Sequence, residues 1–323
     1  MHALWSQNLN GMLPKIMNVC VQLGNSQNPE NEKKMISIIL HTYNHQEYIE
    51  QCIASIIEQE TIHEIELIWF DDASIDETVI RGMNLLQISN IKFTCIHARK
   101  NRTQIGIPVL LDIIEATSGK YLFFIDGDDC WIAKDKIDRQ VSALEQYEGV
   151  NICFTPALKI IGNSQKSDGI SAQHTSNLKI YSFNDVVIGD GDFMPTSSLC
   201  VRRSIFDSAP DWLFSAIPVG DYPIQVIAAY PNGALFLPEI TTVYRVKVIG
   251  SWTSRVQDPL RMLQFEKEFI RMLALMNKTF PANKVAFSSI LYKHTNRLLR
   301  ISIENSSYDE IQKAVTYLRD FDR

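Results

Sequence analysis

Residues 35–157 alternate between two hydrophobic patterns. Short runs of consecutive apolar residues are each followed by a segment in which apolar residues recur every three or four positions. Consecutive apolar runs predict buried strands, and the longer spacing predicts helices. The predicted strands are MISIILH, IELIWF, IKFTCIH and YLFFI, and the predicted helices cover 46–59, 77–87, 107–116 and 134–147. Because a helix follows each strand, the pattern predicts an α/β fold with a mostly parallel sheet flanked by helices.

The remaining residues fall into regions with other patterns. Residues 1–34 begin with apolar residues at helical spacing and end in a polar stretch. This predicts a helical or flexible extension, with a membrane-surface or partner helix as the alternative. Residues 158–257 predict a polar, mobile loop over 162–179 and short strands at TSSLCV, ALFL and TTVYRV. Residues 258–323 have helical spacing throughout, so the chain is predicted to divide into 1–34, 35–257 and 258–323.

Composition excludes several classes of protein. The 323 residues are 46% apolar and 21% charged, values that exclude general disorder. The net charge of −6 argues against a nucleic-acid partner. Six cysteines without a CxxC pair predict reduced thiols in a cytoplasmic protein. No apolar run is long enough to span a bilayer and no secretion signal is evident, so any membrane association is expected to be peripheral, at the inner face.

Acidic residues follow two of the predicted strands directly. Asp71 and Asp72 end the second strand, and Asp126, Asp128 and Asp129 surround a glycine at the end of the fourth. Either group alone is typical of a turn or a helix N-cap. Ligands of parallel sheets bind at the carboxyl ends of strands, and a carboxylate cluster on a tight turn suits a hard divalent cation. Two such groups in one sheet therefore favour a binding site.

The first strand lacks a glycine-rich phosphate loop. It ends in His41-Thr42-Tyr43-Asn44, with neither a P-loop nor a GxGxxG motif. A bound diphosphate would therefore need a metal ion on Asp126 and Asp128, with help from basic side chains. Arg99, in a basic cluster after the third strand, is a candidate for phosphate contact, and a solvated loop is the alternative. His45 and His63 are expected at the surface.

Three motifs resemble glycosyltransferase family 2, whose members have the GT-A fold. They are HTYNHQEYIEQCIASIIEQ, IELIWFDDASIDET and GKYLFFIDGDDCW, in the family's order and spacing. The resemblance covers residues 35 to about 150 and continues more weakly to about 254. It implies a GT-A domain over 35–257, with a nucleotide-binding half (35–157) and an acceptor half (158–257). Residues 258–323 would form a C-terminal helical extension.

The resemblance implies roles for the residues of the nucleotide-binding half. Tyr43 would stack on the base, and the backbone near His41 would line that pocket. Asp72 would bind the base or ribose, with Asp71 beside it. The metal cluster follows the fourth strand and would hold Mg²⁺ or Mn²⁺ on the donor diphosphate. Its members are Asp126 and Asp128 of a DxD motif and Asp129, which could share the metal. Asp126 and the intervening Gly127 would also contact the nucleotide sugar.

The acceptor half is implied to supply the base and further cations. Asp221, in VGDYP, matches the general base of inverting members. Trp131 and Trp252 are expected on the acceptor side. Arg245 and Lys247 are expected to contact the diphosphate. Lys247 lies where the family often has histidine, and a lysine there can act as a point charge but not as a neutral imidazole ligand.

The resulting hypothesis is a metal-dependent inverting glycosyltransferase. It would move a sugar from a nucleotide-diphosphate donor, expected to be UDP-linked, to a hydroxyl of a glycan, lipid-linked or protein acceptor. Surface-polysaccharide or glycan synthesis is the role that the resemblance implies. Two alternatives are a nucleotidyltransferase and a catalytically idle GT-A module that scaffolds other proteins or binds sugar. The intact acids Asp72, Asp126, Asp128 and Asp221 argue against the idle module.

Overall fold

The computed structural model describes residues 34–164, 166–215, 217–248 and 258–305, together with 311, 312 and 316. Predictions for residues 1–33 and for Trp252 lie outside this part of the chain. The strands are β1 Met35–Thr42, β2 Glu64–Asp71, β3 Lys92–His97, β4 Tyr121–Asp126, β5 Cys130–Trp131, β6 Ile152–Phe154, β7 Ala157–Ile161, β8 Ser167–Ser171, β9 Lys179–Tyr181, β10 Cys200–Arg202, β11 Ala234–Phe236 and β12 Thr242–Val246. The helices are α1 Ile49–Ile57, α2 Thr78–Leu86, α3 Leu110–Glu115, α4 Lys136–Gln146, α5 Phe183–Gly189, α6 Asp221–Ala229, α7 Pro259–Thr279 and α8 Lys284–Glu304.

The larger sheet contains the four strands predicted from the alternating pattern, β1 to β4, together with four later strands among those that the structure describes. Its strand order among the described residues is β3-β2-β1-β4-β10-β6-β11-β9. The first four strands are parallel, as the alternation of strand and helix predicts. β10 then joins β4 in the antiparallel sense, so the second half of the chain completes the same sheet. The carboxyl ends of the parallel strands consequently meet at one edge, where the predicted acids lie.

A smaller sheet lies beside the turn that carries Asp126, Asp128 and Asp129. Its order is β5-β12-β7-β8, which places the short strand after the acidic cluster against β12. The expected loop over 162–179 is wrong in part, because β8 pairs antiparallel with β7 within it. The side chains of β8 are mostly polar and exposed, so backbone pairing forms this strand without an apolar pattern to signal it.

Two apolar cores cover the faces of the larger sheet. α1, α2 and α4 pack on one face around Trp69 and Phe123. α5, α6 and the C-terminal pair α7 and α8 pack on the other around Phe269 and Phe287. The helical pattern predicted after residue 258 is therefore confirmed within the described residues. None of the helices described there has the length and apolar composition needed to span a bilayer.

Lys136 is a fully buried lysine at the start of α4. Its ammonium donates to Gln140 Oε1 at 2.6 Å and to Thr241 Oγ1 at 3.2 Å, and it lies within 6 Å of the ring centroids of Phe123 and Trp131. No carboxylate is among these contacts. Burial lowers the pKa of Lys136 to about 7, because the charged form loses its hydration.

The contribution of Lys136 to stability is therefore expected to rise with pH, and the difference between the wild type and Lys136→Met separates it from carboxyl groups that titrate in the same range. Between pH 7 and about 10 the unfolded chain binds a proton at this lysine that the folded protein has released, so alkali favours the folded state. The gain between pH 7 and 9 is about 2 kcal/mol by linkage. Urea unfolding at the two pH values measures it. Lys136→Met is expected to remove this increment, and an equal pH dependence in the variant would contradict the assignment.

Candidate active site

The strand register aligns the predicted acids along one edge. Thr42 of β1 pairs with Asp71 of β2, and Asp71 pairs in turn with His97 of β3. His41 of β1 pairs with Asp126 at the end of β4. Both acid groups thus lie at the carboxyl edge of neighbouring parallel strands, as predicted.

Asp71 is fully buried and organises the loops around it. Its carboxylate accepts hydrogen bonds from the Thr42 hydroxyl at 2.6 Å and from the backbone N–H and hydroxyl of Ser74. His97 Nδ1 lies 2.8 Å from the same carboxylate. With these partners Asp71 ties the ends of three strands together, and direct contact with a nucleotide stays a prediction.

Asp72 is also buried, against the loop that follows β3. Its carboxylate accepts hydrogen bonds from the backbone N–H groups of Arg102 at 2.6 Å and Thr103 at 3.1 Å. The Arg102 guanidinium lies over the Phe70 ring and pairs with Asp112 at 2.6 Å, which anchors the loop. The expected base-binding carboxylate is therefore covered by this loop in the structure.

The DxD turn needs glycine at its centre. The Gly127 N–H donates to the carbonyl of His41 at 2.9 Å, which holds the turn against β1. A β-carbon at Gly127 would lie 2.5 Å from Thr42 Cγ2 and 2.8 Å from His45 Nδ1, closer than real contacts allow. Gly127 thus permits the turn that carries Asp126 and Asp128 to pack closely against Thr42 and His45.

The two DxD carboxylates differ in environment. Asp126 keeps 40% of its side chain exposed and lies 3.8 Å from His41 Nδ1. Asp128 is mostly buried, with Oδ1 4.0 Å from His45 Nε2. The surface position expected for His45 is wrong, because the chain after β1 folds under the turn and buries the ring, whose Nδ1 has no hydrogen-bond partner. His63 is buried as well, where the backbone N–H of Lys34 donates to its ring.

Asp129 and Arg245 support the turn from beneath. Asp129 accepts hydrogen bonds from the Ser197 hydroxyl at 2.6 Å and from the backbone N–H of Arg245 at 2.8 Å. The buried Arg245 guanidinium donates to the carbonyl of Asp128 and to Gln51, and stands 5.0 Å from the Tyr48 ring centroid. The metal and phosphate contacts expected of Asp129 and Arg245 stay predictions.

Clustering raises the pKa values of these carboxyl groups. The pKa of Asp126 lies well above its ordinary value, because the surrounding protein displaces water and because Asp128, Asp129 and Asp221 add negative charge. Burial, followed by the charge of Asp128, raises the pKa of Asp129 to about 8. A cation among these groups would relieve the mutual repulsion.

The donor set fits a metal held jointly with a substrate. No group of three or more His, Cys, Asp or Glu side chains converges on one point in the described ranges. Asp126 and Asp128 supply two carboxylates from one turn, and Asp126 keeps 40% of its side chain exposed. Mg²⁺ in nucleotide sites takes one or two carboxylates, with phosphate oxygens and waters completing the shell. The residues therefore fit a metal that arrives with a diphosphate.

Asp221 begins helix α6 on the opposite side of the cluster. Its carboxylate accepts a hydrogen bond from the Thr196 hydroxyl at 2.9 Å and one from the backbone N–H of Tyr222 at 2.8 Å. Burial raises its pKa, which its two hydrogen bonds partly oppose, while the charge of Asp192 adds to the rise. The negative charge of Asp221 also contributes to the raised pKa of Asp126, so the two carboxylates lie within electrostatic range of each other.

Tyr244 is affected by the charges of the acids but was not among the residues predicted for the site. This half-buried residue of β12 has a raised pKa, caused first by burial and then by the charges of Asp129, Asp126, Asp128 and Asp192. Tyr244 therefore lies within electrostatic range of the acids, and its neighbour Arg245 is buried. The alternation of side chains along TTVYRV is the signal that could have placed Tyr244 in the site.

The other expected site residues occupy different depths. Trp131 is 4% exposed and its indole N–H donates to the carbonyl of Ser197. Tyr43 is half-buried at the end of β1, whereas Arg99 and Lys247 are exposed. Lys247 has a positive φ of 58° directly after β12, a conformation that turns the chain. Contact of these residues with a donor or acceptor stays a prediction.

Comparison with known proteins assigns the chain to a family. The model of glycosyl transferase family 2 matches residues 37–208, more than half of the chain. The chain belongs to glycosyltransferase family 2. An uncharacterized protein of Mycobacterium tuberculosis strain H37Rv is 28% identical over 227 residues, covering 69% of this chain and 62% of that protein. The chain thus spans less than two thirds of the length of this relative.

Another relative has a named activity, and two solved structures have a similar fold. The Escherichia coli UDP-Glc:alpha-D-GlcNAc-diphosphoundecaprenol beta-1,3-glucosyltransferase WfgD is 29% identical over 110 residues, 34% of this chain and 41% of that protein. S. aureus TarS 1-349 in complex with UDP-GlcNAc superposes with a TM-score of 0.64 at 14% identity, over 89% of this chain and 80% of that one. The Pyrobaculum calidifontis mannosyltransferase PcManGT, with GDP-Man and Mn²⁺, gives 0.53 at 15% identity over 99% and 93%. The fold is of the GT-A type.

Proposed function

We propose that the protein is a metal-dependent inverting glycosyltransferase that uses a nucleotide-diphosphate sugar. The observation that carries this proposal is that Asp126 and Asp128 lie on one turn at the carboxyl edge of the sheet, with Asp221 close enough for its charge to act on Asp126. A UDP-linked donor and an acceptor hydroxyl on a lipid-linked glycan are the substrate classes we favour. WfgD, which acts on a diphosphoundecaprenol-linked sugar, supports both.

Asp126 and Asp128 would hold the metal, as Mn²⁺ or Mg²⁺. When bound, the metal neutralises charge on the donor diphosphate and so improves the leaving group. Gly127 lets the turn approach β1 closely, and Arg245 fixes it through the carbonyl of Asp128. We assign Asp129 to support of this turn, because hydrogen bonds from Ser197 and from the Arg245 backbone use both of its carboxylate oxygens.

Asp221 would act as the general base. Its raised pKa makes the carboxylate a better proton acceptor, and the Thr196 hydroxyl orients it. An acceptor hydroxyl bound beside Asp221 would lose its proton to this carboxylate while its oxygen attacks the anomeric carbon. Attack from the side opposite the diphosphate inverts that centre. Lys247 and Arg99, both exposed, would meet phosphate charge as it develops.

Donor binding is expected to move the loop after β3. Asp72 can accept a hydrogen bond from a ribose or base only when Arg102 and Thr103 release its carboxylate. The amide hydrogens of these two residues are therefore expected to exchange slowly in the free protein and faster with UDP and Mn²⁺ bound. Hydrogen-exchange mass spectrometry measures this change. Equal exchange rates of these amides with and without UDP and Mn²⁺ would mean that Asp72 supports the loop and does not bind the nucleoside.

A thermal-shift screen tests the proposed function. A ligand that binds only the folded state raises stability by about RT ln(1 + [L]/Kd). UDP, GDP, CDP and TDP are each added with Mn²⁺ or with EDTA. We expect one nucleotide to raise Tm with Mn²⁺ only, and an unchanged Tm with all four would contradict the proposal. A Tm rise without turnover of any donor would favour the idle GT-A module.

A further inference from the structure

The C-terminal helices carry a charge opposite to that of the rest of the chain. Residues 258–305 contain eight Lys and Arg against four Asp and Glu, whereas the whole chain has 31 and 37. One of the four acids, Glu266, is buried and pairs with Arg297 at 3.1 Å, which leaves seven basic and three acidic residues outside this pair. α7 and α8 thus present a positive surface on an otherwise negative protein.

Helix α8 presents an apolar line to solvent. Val285, Tyr292 and Ile303 are 86%, 63% and 58% exposed. At about 100° per residue they fall within roughly 20° of one line along the helix. Exposed Lys284 lies on one side of this line and exposed Arg300 on the other, beside Lys293, whose ammonium pairs with Asp190. These six residues are called the α8 face below.

We propose that the α8 face docks the protein on an anionic lipid bilayer. Lysine and arginine beside an anionic leaflet each add to the attraction, and apolar side chains between them can enter the headgroup region. A soluble polyanion would satisfy the cations but would leave Val285, Tyr292 and Ile303 in water. The combination of flanking charge and a projecting apolar line therefore favours a bilayer.

Helix α8 contacts the segment that follows α5. Lys293 Nζ and His294 Nε2 both lie 2.9 Å from Asp190 Oδ2. Asp190 precedes by two residues Asp192, whose charge acts on Asp221. Docking would therefore bring the loop beside the proposed base close to the membrane, where a lipid-linked acceptor lies. This consequence rests on the proposed function, whereas docking itself does not.

Vesicle sedimentation tests the docking. The full chain is spun with phosphatidylglycerol or phosphatidylcholine vesicles at low salt. We expect binding to the anionic vesicles only, with release by 0.5 M NaCl. Lys284→Gln/Arg300→Gln is expected to weaken binding roughly 30-fold. Lys92→Gln/Lys166→Gln removes the same charge from exposed positions elsewhere and is expected to bind as the wild type does.

The outcomes separate this proposal from its alternatives. Absence of wild-type binding, or equal losses in the two charge variants, would overturn it. Val285→Ser/Ile303→Ser is also expected to weaken binding, and unchanged binding would mean that the surface attracts polyanions in general. The Tm rise caused by nucleotide and Mn²⁺ is measured on the same preparations. The α8 face contains none of the donor-site residues. Failure of docking would therefore leave the nucleotide-dependent Tm rise intact, and absence of that rise would leave vesicle binding intact.

Discussion

Replacing Asp221 with Asn is expected to lower the rate of sugar transfer by roughly 100-fold or more while donor binding persists. The amide cannot accept the proton of the acceptor hydroxyl, and a positioned base contributes about 10²–10⁴-fold. Stability is expected to change little, because an amide can keep the hydrogen bond from Tyr222 N–H and is itself favourable at a helix start. Transfer rate and Mn²⁺-dependent UDP affinity are measured on one preparation.

Asp192→Asn is the matched control for this prediction. Asp192 is a neighbouring acid, close enough that its charge affects Asp221. If Asp221 is the base, the Asp192 variant keeps most of its transfer activity and the Asp221 variant does not. The reverse result would make Asp192 the base and reduce Asp221 to a residue that starts helix α6.

Asp128→Asn is expected to reduce UDP affinity in Mn²⁺ to the value found in EDTA. The carboxylate offers a metal ligand, and replacing it with an amide removes the negative charge that a hard cation prefers. The fold is expected to survive, because Arg245 holds this turn through the backbone carbonyl of Asp128. Isothermal titration calorimetry with UDP measures the affinity, and melting temperature without ligand checks the fold.

A control variant and a second acid make the metal prediction specific. Asp168→Asn removes an exposed acid from β8 and is expected to leave metal-dependent affinity unchanged. Asp126→Asn is expected to behave like Asp128→Asn, since both belong to the DxD turn. Retention of Mn²⁺-dependent affinity in both DxD variants would contradict the proposed metal site.

The sequence was sufficient to predict the parallel half of the sheet. β1, β2 and β4 are nearly continuous apolar runs because both of their faces are largely buried, and each ends where polar residues begin. β3 lies at the edge of the sheet and its side chains are exposed or half-buried. Asp71 and Asp126 therefore marked the strand ends from the sequence alone. Their common edge follows from parallel pairing, which the register of β1 with β2 and β4 confirms.

Other features depend on contacts between distant segments. Asp129 meets Ser197 and Arg245 only because β5 pairs with β12, and no local pattern encodes that pairing. The cover over Asp72 comes from a loop 30 residues away. His45 is buried because the chain packs under Gly127, although its position at the start of a predicted helix suggested exposure. Tertiary packing, not local propensity, decided each of these positions.

Release of nucleoside diphosphate from a nucleotide sugar tests the central claim most directly. The donor identified by the thermal-shift screen is incubated with the protein and Mn²⁺, with EDTA, and with the Asp126→Asn/Asp128→Asn double variant. We expect the wild type to release nucleoside diphosphate in the presence of Mn²⁺. We expect no release above background in EDTA or with the double variant. Equal release under all three conditions, or no release by the wild type with any nucleotide sugar, would contradict it.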